Sequence, residues 1–337
     1  MILDLEKLPA IFPLLGLFLA LYYVWGVLDF IWFHYLRPTS WTIFMHGTKP
    51  YALITGATDG IGRSAAKELY TKGFNLILHG RNEEKMKRAV EEVKTANPTS
   101  GLDVKYFIAD VGRPDVDFKG IARQFEGFNI TLFVNNVGAS FPTSRMYVPL
   151  PSLPILRVAE CWSRIDQLDE EFITNILNIN ARFPYFITRA FLPSLRRNSQ
   201  NGPVEVVFIG SIAGDVAVPF VSPYAGSKAL TKRVSRILHT DERVWSKSNL
   251  SFVYVNVGEV QSGSLRVTTS LARPNSDDYA RHLVESFGSG RRVVIPYPAH
   301  HIIYAIVTGM PEALCDYIVL AQGRSLFKKI EESEKKR

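Results

Sequence analysis

Nineteen residues, Tyr51 to Leu69 (YALITGATDGIGRSAAKEL), restrict the fold more than any other stretch of this chain. Ala52, Leu53 and Ile54 form a short apolar run of the kind that makes a fully buried strand. Small residues follow, with glycine at 56, 60 and 62, and then Ala65, Ala66 and Leu69 open an amphipathic helix. Strand, glycine turn and helix in that order predict a phosphate cradle. Glycine lets the backbone pass close to a pyrophosphate, and the helix N-terminus offers free N–H groups and a positive dipole end. The spacing is not GxGxxG but TGxxxGIG, so Thr55, Gly56, Thr58, Asp59, Gly60, Ile61 and Gly62 are the candidate cofactor-binding residues here.

Further strand and helix signals alternate downstream. Residues 74–80 (FNLILHG) predict the second strand, ending at Arg81. An acid at this point would accept from the ribose 2′-hydroxyl of NAD, whereas arginine suits a 2′-phosphate. Arg81, with Arg63 as a second cation, therefore favours NADPH; a plain solvated role is the alternative for either arginine. A charged helix runs from Asn82 to Ala96 and stops at Asn97-Pro98. Val104–Ile108 predicts the third strand, closed by Asp110, and Thr131–Val134 the fourth, leading into Asn135-Asn136-Val137-Gly138. Val204–Ile209 and Leu250–Val255 predict two more. Four prolines between Ala139 and Cys161 exclude a continuous element there; the segment shapes a substrate entrance or is a surface loop.

The chemistry lies after the fifth strand. Ser211 precedes Tyr224 by thirteen residues, and Tyr224-Ala-Gly-Ser-Lys228 is a YxxxK motif. Tyrosine and lysine four apart share a helix face, so the ammonium can approach the phenol. A nearby cation stabilises a phenolate and is expected to pull its pKa down from about 10 towards working pH. Ser211 would hydrogen-bond a substrate oxygen on which charge develops.

Taken together, TGxxxGIG, NNVG, Ser211 and YxxxK resemble the short-chain dehydrogenase/reductase family over residues 49–304. The resemblance implies an α/β fold, a single Rossmann-type domain with a doubly wound parallel sheet, and NADP(H) as cofactor. It implies that Asp110 contacts the adenine, with capping of the next turn as the alternative. It further implies that Asn136 borders the cofactor, that Lys228 reaches the nicotinamide ribose, and that Asn180 holds a proton-relay water. Asn178 is the rival for that last role, and the helix end at Leu192-Pro193 favours Asn180. Val260 and Ser262 keep the register of the loop that meets the nicotinamide amide, although Val257 replaces the proline usual there. The TGATDGIG form and the PY…H segment near Pro296 resemble the branch of very-long-chain 3-oxoacyl-CoA reductases and 17β-hydroxysteroid dehydrogenases.

Leu8–Leu28 carries no charge over 21 residues, about the length that crosses a ~30 Å bilayer core, and aromatic residues crowd its far end. An N-terminal transmembrane helix fits better than a cleaved signal peptide, because the run is too long and Asp4 and Glu6 sit where a basic region would. A buried hairpin helix, suggested by Pro9 and Pro13, is the other alternative. The expected organisation is an anchor and linker (1–48), a catalytic domain (49–295) and an apolar extension with a charged tail (296–337). Residues 264–289 read as a variable substrate flap, and polar breaks at His300, His301, Glu312 and Asp316 argue against a second span. The net charge of +7 is scattered along helices, which excludes a nucleic-acid stripe. Cys161 and Cys315 have no metal-ligand spacing, so no metal site is expected, and they suit a reducing compartment. The end resembles a dilysine retrieval signal imperfectly, with Glu334 at the fourth position from the end. The expected setting is the endoplasmic reticulum membrane, single-pass, with the domain on the cytosolic side. The expected substrate is a lipid-like ketone, with a homodimer left open. A steroid or secondary-metabolite ketone is the alternative substrate, and a catalytically silent NADPH-binding scaffold the alternative function.

Overall fold

The computed structural model describes residues 8–139, 165–246, 248–263, 265 and 268–334. The proline-rich segment after Ala139, Cys161, Ser264 at the start of the expected flap, and Lys335-Lys336 lie outside the described residues. The chain divides into two compact units, Met1–Thr39 and Ser40–Arg337.

The first unit holds helix α1 (Leu8–Ile31), extended by one π-helical turn, Trp32–Leu36. The segment Phe12–Leu36 holds an eighteen-residue window of mean hydropathy 2.0, none of it buried. Twenty-four α-helical residues rise roughly 36 Å, enough to cross a hydrocarbon core. Side chains such as Leu14, Leu15, Tyr23 and Val24 are exposed all round the helix, as a bilayer-facing segment requires.

The second unit is a seven-stranded parallel sheet in the order β3-β2-β1-β4-β5-β6-β7. Its strands are β1 (Tyr51–Ile54), β2 (Asn75–Gly80), β3 (Val104–Ile108), β4 (Ile130–Asn135), β5 (Val204–Ile209), β6 (Leu250–Val255) and β7 (Val293–Val294). The order reverses between β1 and β4, the switch point beside which open α/β sheets bind ligands. Every residue of β1, β2, β4 and β5 is buried, which is why these strands read as apolar runs without alternation.

The two faces carry separate cores. Ala52, Ile54, Leu76, Leu78, Leu132, Val134 and Val207 face helices α2 (Gly60–Thr71), α3 (Glu83–Ala96) and the later α8 (Ser276–Ser286). Leu53, Ile77, Phe133, Val206, Phe208, Phe252 and Tyr254 face α4 (Phe118–Gln124) and α6 (Phe183–Asn198). Before α6 come α5 (Glu170–Leu177) and a π-helical turn, Asn178–Arg182, so one helix, widened in its middle, runs on through Pro193 to Asn198, past the end expected at Leu192-Pro193. The remaining helices are α7 (Ser222–Trp245), α9 (Pro298–Gly309) and α10 (Glu312–Glu334).

One expectation is corrected. Within the segment read as a flap, residues 276–286 form α8, a core helix rather than a mobile cover. Asn275 caps it, Asp277 and Asp278 favour its positive end, and Tyr279, Ala280, Leu283 and Val284 are buried. Ser64 of α2 donates to Asp277, which fastens α8 beside the glycine turn.

Candidate active site

The glycine turn is built from both sides. Gly56 and Gly60 have φ of +68° and +54°, a left-handed region that costs glycine little. A Cβ at Gly62 would lie 2.4 Å from the Gly56 carbonyl oxygen, so bare backbone is required there. Asp59 caps α2 by accepting the Gly60 N–H. Thr58 packs its methyl over Gly80, and Ile61 is half-buried against the core.

The Asn-Asn-Val-Gly segment locks onto this turn. Thr55 Oγ1 accepts the N–H groups of Asn136 and Val137 at 3.0 and 3.1 Å. The Asn136 amide donates to the carbonyls of Thr55 and Gly56, and Asn135 donates to Thr188 on α6. Asn136 thus spends its donors on the turn, which makes it a brace.

Three other candidates have defined places. Arg81 is exposed at the end of β2, the position from which a 2′-phosphate would be met. Arg63 instead forms an ion pair with Glu92 of α3 at 3.5 Å. Asp110 is exposed, and its carboxylate accepts the Gly112 N–H at 3.2 Å, which is the capping role weighed against adenine contact.

The polar site gathers at the carboxyl ends of β4, β5 and β6. Asn180 sits in the π-helical turn, 1% exposed, and clamps Ala139 twice: its amide donates to the Ala139 carbonyl at 2.7 Å and its Oδ1 accepts the Ala139 N–H at 2.9 Å. Its own carbonyl accepts from Thr231 of α7, which satisfies a group that the widened turn would otherwise leave open. Asn178 points elsewhere, donating to the Gly112 carbonyl.

Ser211 caps a single 3-10 turn, its hydroxyl accepting from Ala213 N–H, and stands near enough to the Tyr224 hydroxyl to oppose the rise in its pKa. Lys228 is 5% exposed; its ammonium lies 5.8 Å from the Tyr224 ring centre and donates to the Ile209 carbonyl at 2.9 Å. A Cβ on Gly138 would stand 3.3 Å from both Lys228 Nζ and Asn180 Oδ1, so these groups share one small space.

The electrostatics differ from the expectation of a lowered phenol pKa. Burial pushes Tyr224 above its ordinary value, and the Ser211 hydrogen bond only partly opposes it. Burial also lowers Lys228 to about 8, so desolvation sets the direction of both shifts.

Beyond β6, Val260 is buried, and Ser262 lies against Gly60, where a Cβ would come within 3.0 Å of it. The glycine turn and this loop therefore meet side by side. Three bracing residues escaped the sequence analysis. His79, on β2, takes the Gly56 N–H on Nδ1 at 3.3 Å and donates from Nε2 to Ala109 at 3.1 Å. His300, on α9, takes the Gly258 N–H on Nδ1 at 3.2 Å and faces the carbonyls of Glu259 and Ala272 through Nε2. Tyr254, fully buried on β6, bridges Ser211 and Lys228.

A doubly wound parallel sheet with a glycine turn at its switch point, and a serine, tyrosine and lysine at the strand ends, defines a dinucleotide-dependent oxidoreductase. The short chain dehydrogenase family profile matches residues 50–278, and the chain belongs to that family. Among relatives, a very-long-chain 3-oxoacyl-CoA reductase of Mycosarcoma maydis is 28% identical over 261 residues, covering 75% of this chain and 67% of that protein. The protein of that name from Anas platyrhynchos is 30% identical, covering 58% of this chain and 55% of its own length. The matches thus span about half to two thirds of these reductases. The inactive hydroxysteroid dehydrogenase-like protein 1 of Pongo abelii is 26% identical, covering 82% and 77%. Among solved structures, a short-chain dehydrogenase from Sphingobium yanoikuyae in complex with NADPH shares the fold, with a TM-score of 0.61 at 20% identity, covering 79% of this chain and 95% of that one.

Proposed function

We propose that this chain is an NADPH-dependent reductase of a ketone on a long-chain lipid-like substrate, a 3-oxoacyl-CoA first of all. In this reading residues 1–48 anchor and link, 49–295 carry catalysis and 296–337 form the extension, held at the endoplasmic reticulum membrane with the active site facing the cytosol. The residues fit a dinucleotide: the turn needs bare backbone at Gly56, Gly60 and Gly62, and Gly138 keeps open the space above Lys228 and Asn180. Thr55, Thr58, Asp59 and Ile61 shape that turn, Arg81 would meet the 2′-phosphate, and Val260 and Ser262 would line the nicotinamide end.

The observation that carries the reading is the meeting of Ser211, Tyr224 and Lys228 over Gly138 and Asn180. When bound, the cofactor supplies the hydride. Ser211 holds the substrate carbonyl oxygen, and Tyr224, kept protonated by its burial, gives that oxygen its proton. The Lys228 ammonium supports the phenolate that remains, and Asn180 fixes the floor beside it. These groups also argue against a silent scaffold, although one relative is named as inactive.

The long substrate is supported by the apolar α1 and by exposed Ile302, Ile303, Ile306, Leu314 and Leu320 on α9 and α10. Each methylene buried from water contributes about 0.8 kcal/mol. Turnover of 3-oxoacyl-CoAs by the full chain in detergent, followed as loss of NADPH absorbance, should rise with acyl length before levelling. Tyr224→Phe should abolish most turnover while leaving NADPH binding nearly intact. A flat length series with better turnover of a steroid-like ketone would reassign the substrate, and near-native turnover by Tyr224→Phe would remove the mechanism.

A further inference from the structure

Tyr254 is fully buried near the end of β6, on the sheet face that carries α6. Its strand pairs with β5, and Tyr254 stands opposite Phe208 in the register. Its ring runs towards the end of β5. A Cβ on Gly210 would fall 1.9 Å from the ring carbon that bears the hydroxyl and 2.2 Å from the hydroxyl oxygen. Gly210 and Tyr254 are therefore a matched pair, and a side chain at 210 would displace the phenol.

The hydroxyl makes two bonds in this place. It accepts the backbone N–H of Ser211 at 3.1 Å and donates to the backbone carbonyl of Lys228 at 3.1 Å. One oxygen atom thus joins the loop that carries the serine to the helix that carries the tyrosine and lysine. Without it, the Ser211 N–H would lose this partner in a part-buried place. Burial pushes the Tyr254 phenol well above its ordinary pKa, so the hydroxyl keeps the proton it donates.

We propose that Tyr254 is a positioning residue that sets the separation of Ser211 from the Tyr224–Lys228 helix by bridging their backbones through its hydroxyl. The inference rests on the reductase reading above. Proton transfer demands that Ser211 and Tyr224 meet the same substrate oxygen, and a misplacement of about 1 Å can cost on the order of a hundredfold in rate. The glycine turn and Arg81, which would hold the dinucleotide phosphates, lie away from the bridge, so losing it should largely spare dinucleotide affinity.

The test is Tyr254→Phe in the full-length chain in detergent, since phenylalanine keeps the ring against Gly210 and removes only the hydroxyl. With NADPH and a long 3-oxoacyl-CoA, kcat should fall roughly tenfold or more while both KM values stay within about twofold. NADPH affinity, read by tryptophan-to-nicotinamide fluorescence transfer, should also stay within about twofold. Amide hydrogen exchange should accelerate about tenfold in the peptide spanning Ile209–Asp215 and remain unchanged in β1 and β2. Unchanged kcat, or unchanged exchange at Ser211, overturns the proposal. So does a variant that no longer folds and binds NADPH, because the hydroxyl would then serve stability alone. Tyr224→Phe is measured alongside: if it keeps native turnover, the reductase reading fails. If Tyr224→Phe is inactive while Tyr254→Phe is fully active, only the positioning role fails.

Discussion

Acidification should loosen this fold through one buried imidazole. His79 is 1% exposed, stacked between Phe107 and Phe183 with ring centres 4.9 and 5.3 Å away. Because its Nδ1 accepts the Gly56 N–H, the ring proton sits on Nε2 and points to Ala109. A second proton would set an N–H against the Gly56 N–H inside an apolar stack. Burial accordingly lowers its pKa from 6.5 to about 4, against the opposing pull of the Ala109 carbonyl and Asp110. The unfolded chain then binds more protons than the folded one between these values. The stabilisation is complete above pH 6.5 and is lost as pH falls through the window towards 4. At pH 5 the loss is about 2 kcal/mol, or roughly 5 °C in Tm for a domain of this size. His239 is also lowered to about 4, and His282 and His300 are lowered too, so wild type alone does not isolate His79. The variant is His79→Phe, which preserves the stack and cannot titrate. Thermal unfolding by near-UV circular dichroism from pH 7.5 to 5 should show a shallower fall for the variant, by about that 5 °C. NADPH should also bind the variant more weakly at pH 7.5, since Gly56 loses its brace. Equal pH slopes in the two proteins would refute the assignment.

Two further expectations concern the cofactor and the topology. Arg81→Asp should reverse or abolish a preference for NADPH over NADH worth roughly tenfold or more in affinity, and equal affinities in the native protein would remove the argument. If the catalytic unit faces the cytosol, the sequon Asn249-Leu250-Ser251 should stay unglycosylated. Asn249 is exposed, whereas Asn129 of a second sequon, Asn129-Ile130-Thr131, donates its amide to the His46 carbonyl, so a mobility shift after endoglycosidase treatment would report on Asn249 and place the unit in the lumen.

β5 and β6 were legible because they are largely buried on both faces, and they begin and end where the apolar runs do. β3 stands at the sheet edge with only Phe107 buried, yet its bounds also match the expected strand. The two-residue β7 and the seven-residue α4 offer too short a pattern to separate from loop. α8 had a readable cap and apolar spacing, but the resemblance assigned that stretch to a flap and so obscured them. Asn180 was preferred to Asn178 because the helix was expected to end at Leu192-Pro193; the helix instead runs through Pro193 to Asn198, and the two side chains go to different loops. The phenol pKa could not be read from spacing. Four residues along a helix bring a lysine near a tyrosine, yet the sign of the shift depends on how much water both lose, a property of the packed interior. Tyr254 and His300 were hidden for a related reason: each acts across 26 or more residues on a backbone group, and Tyr254 reads in the sequence as one more core aromatic.

His79 and His300 solve one problem twice. Each stands beside a glycine whose N–H must be satisfied in a turn that also needs bare backbone, and at Gly258 a Cβ would come within 2.7 Å of the His300 ring. Such a brace has to accept on one edge and offer a proton on the other, between two loops, while remaining neutral and fitting among aromatic rings. A neutral imidazole meets every condition, and its planar ring stacks where a flexible amide would not. His79 lies against Phe107 and Phe183, and His300 against Tyr279 and Tyr297. One histidine holds the glycine turn, and the other holds the loop after β6. Because the second comes from α9, the extension beyond residue 296 helps to fix that loop. Both braces are uncharged at neutral pH, so neither adds to the field that the α2 dipole and Lys228 direct into the site.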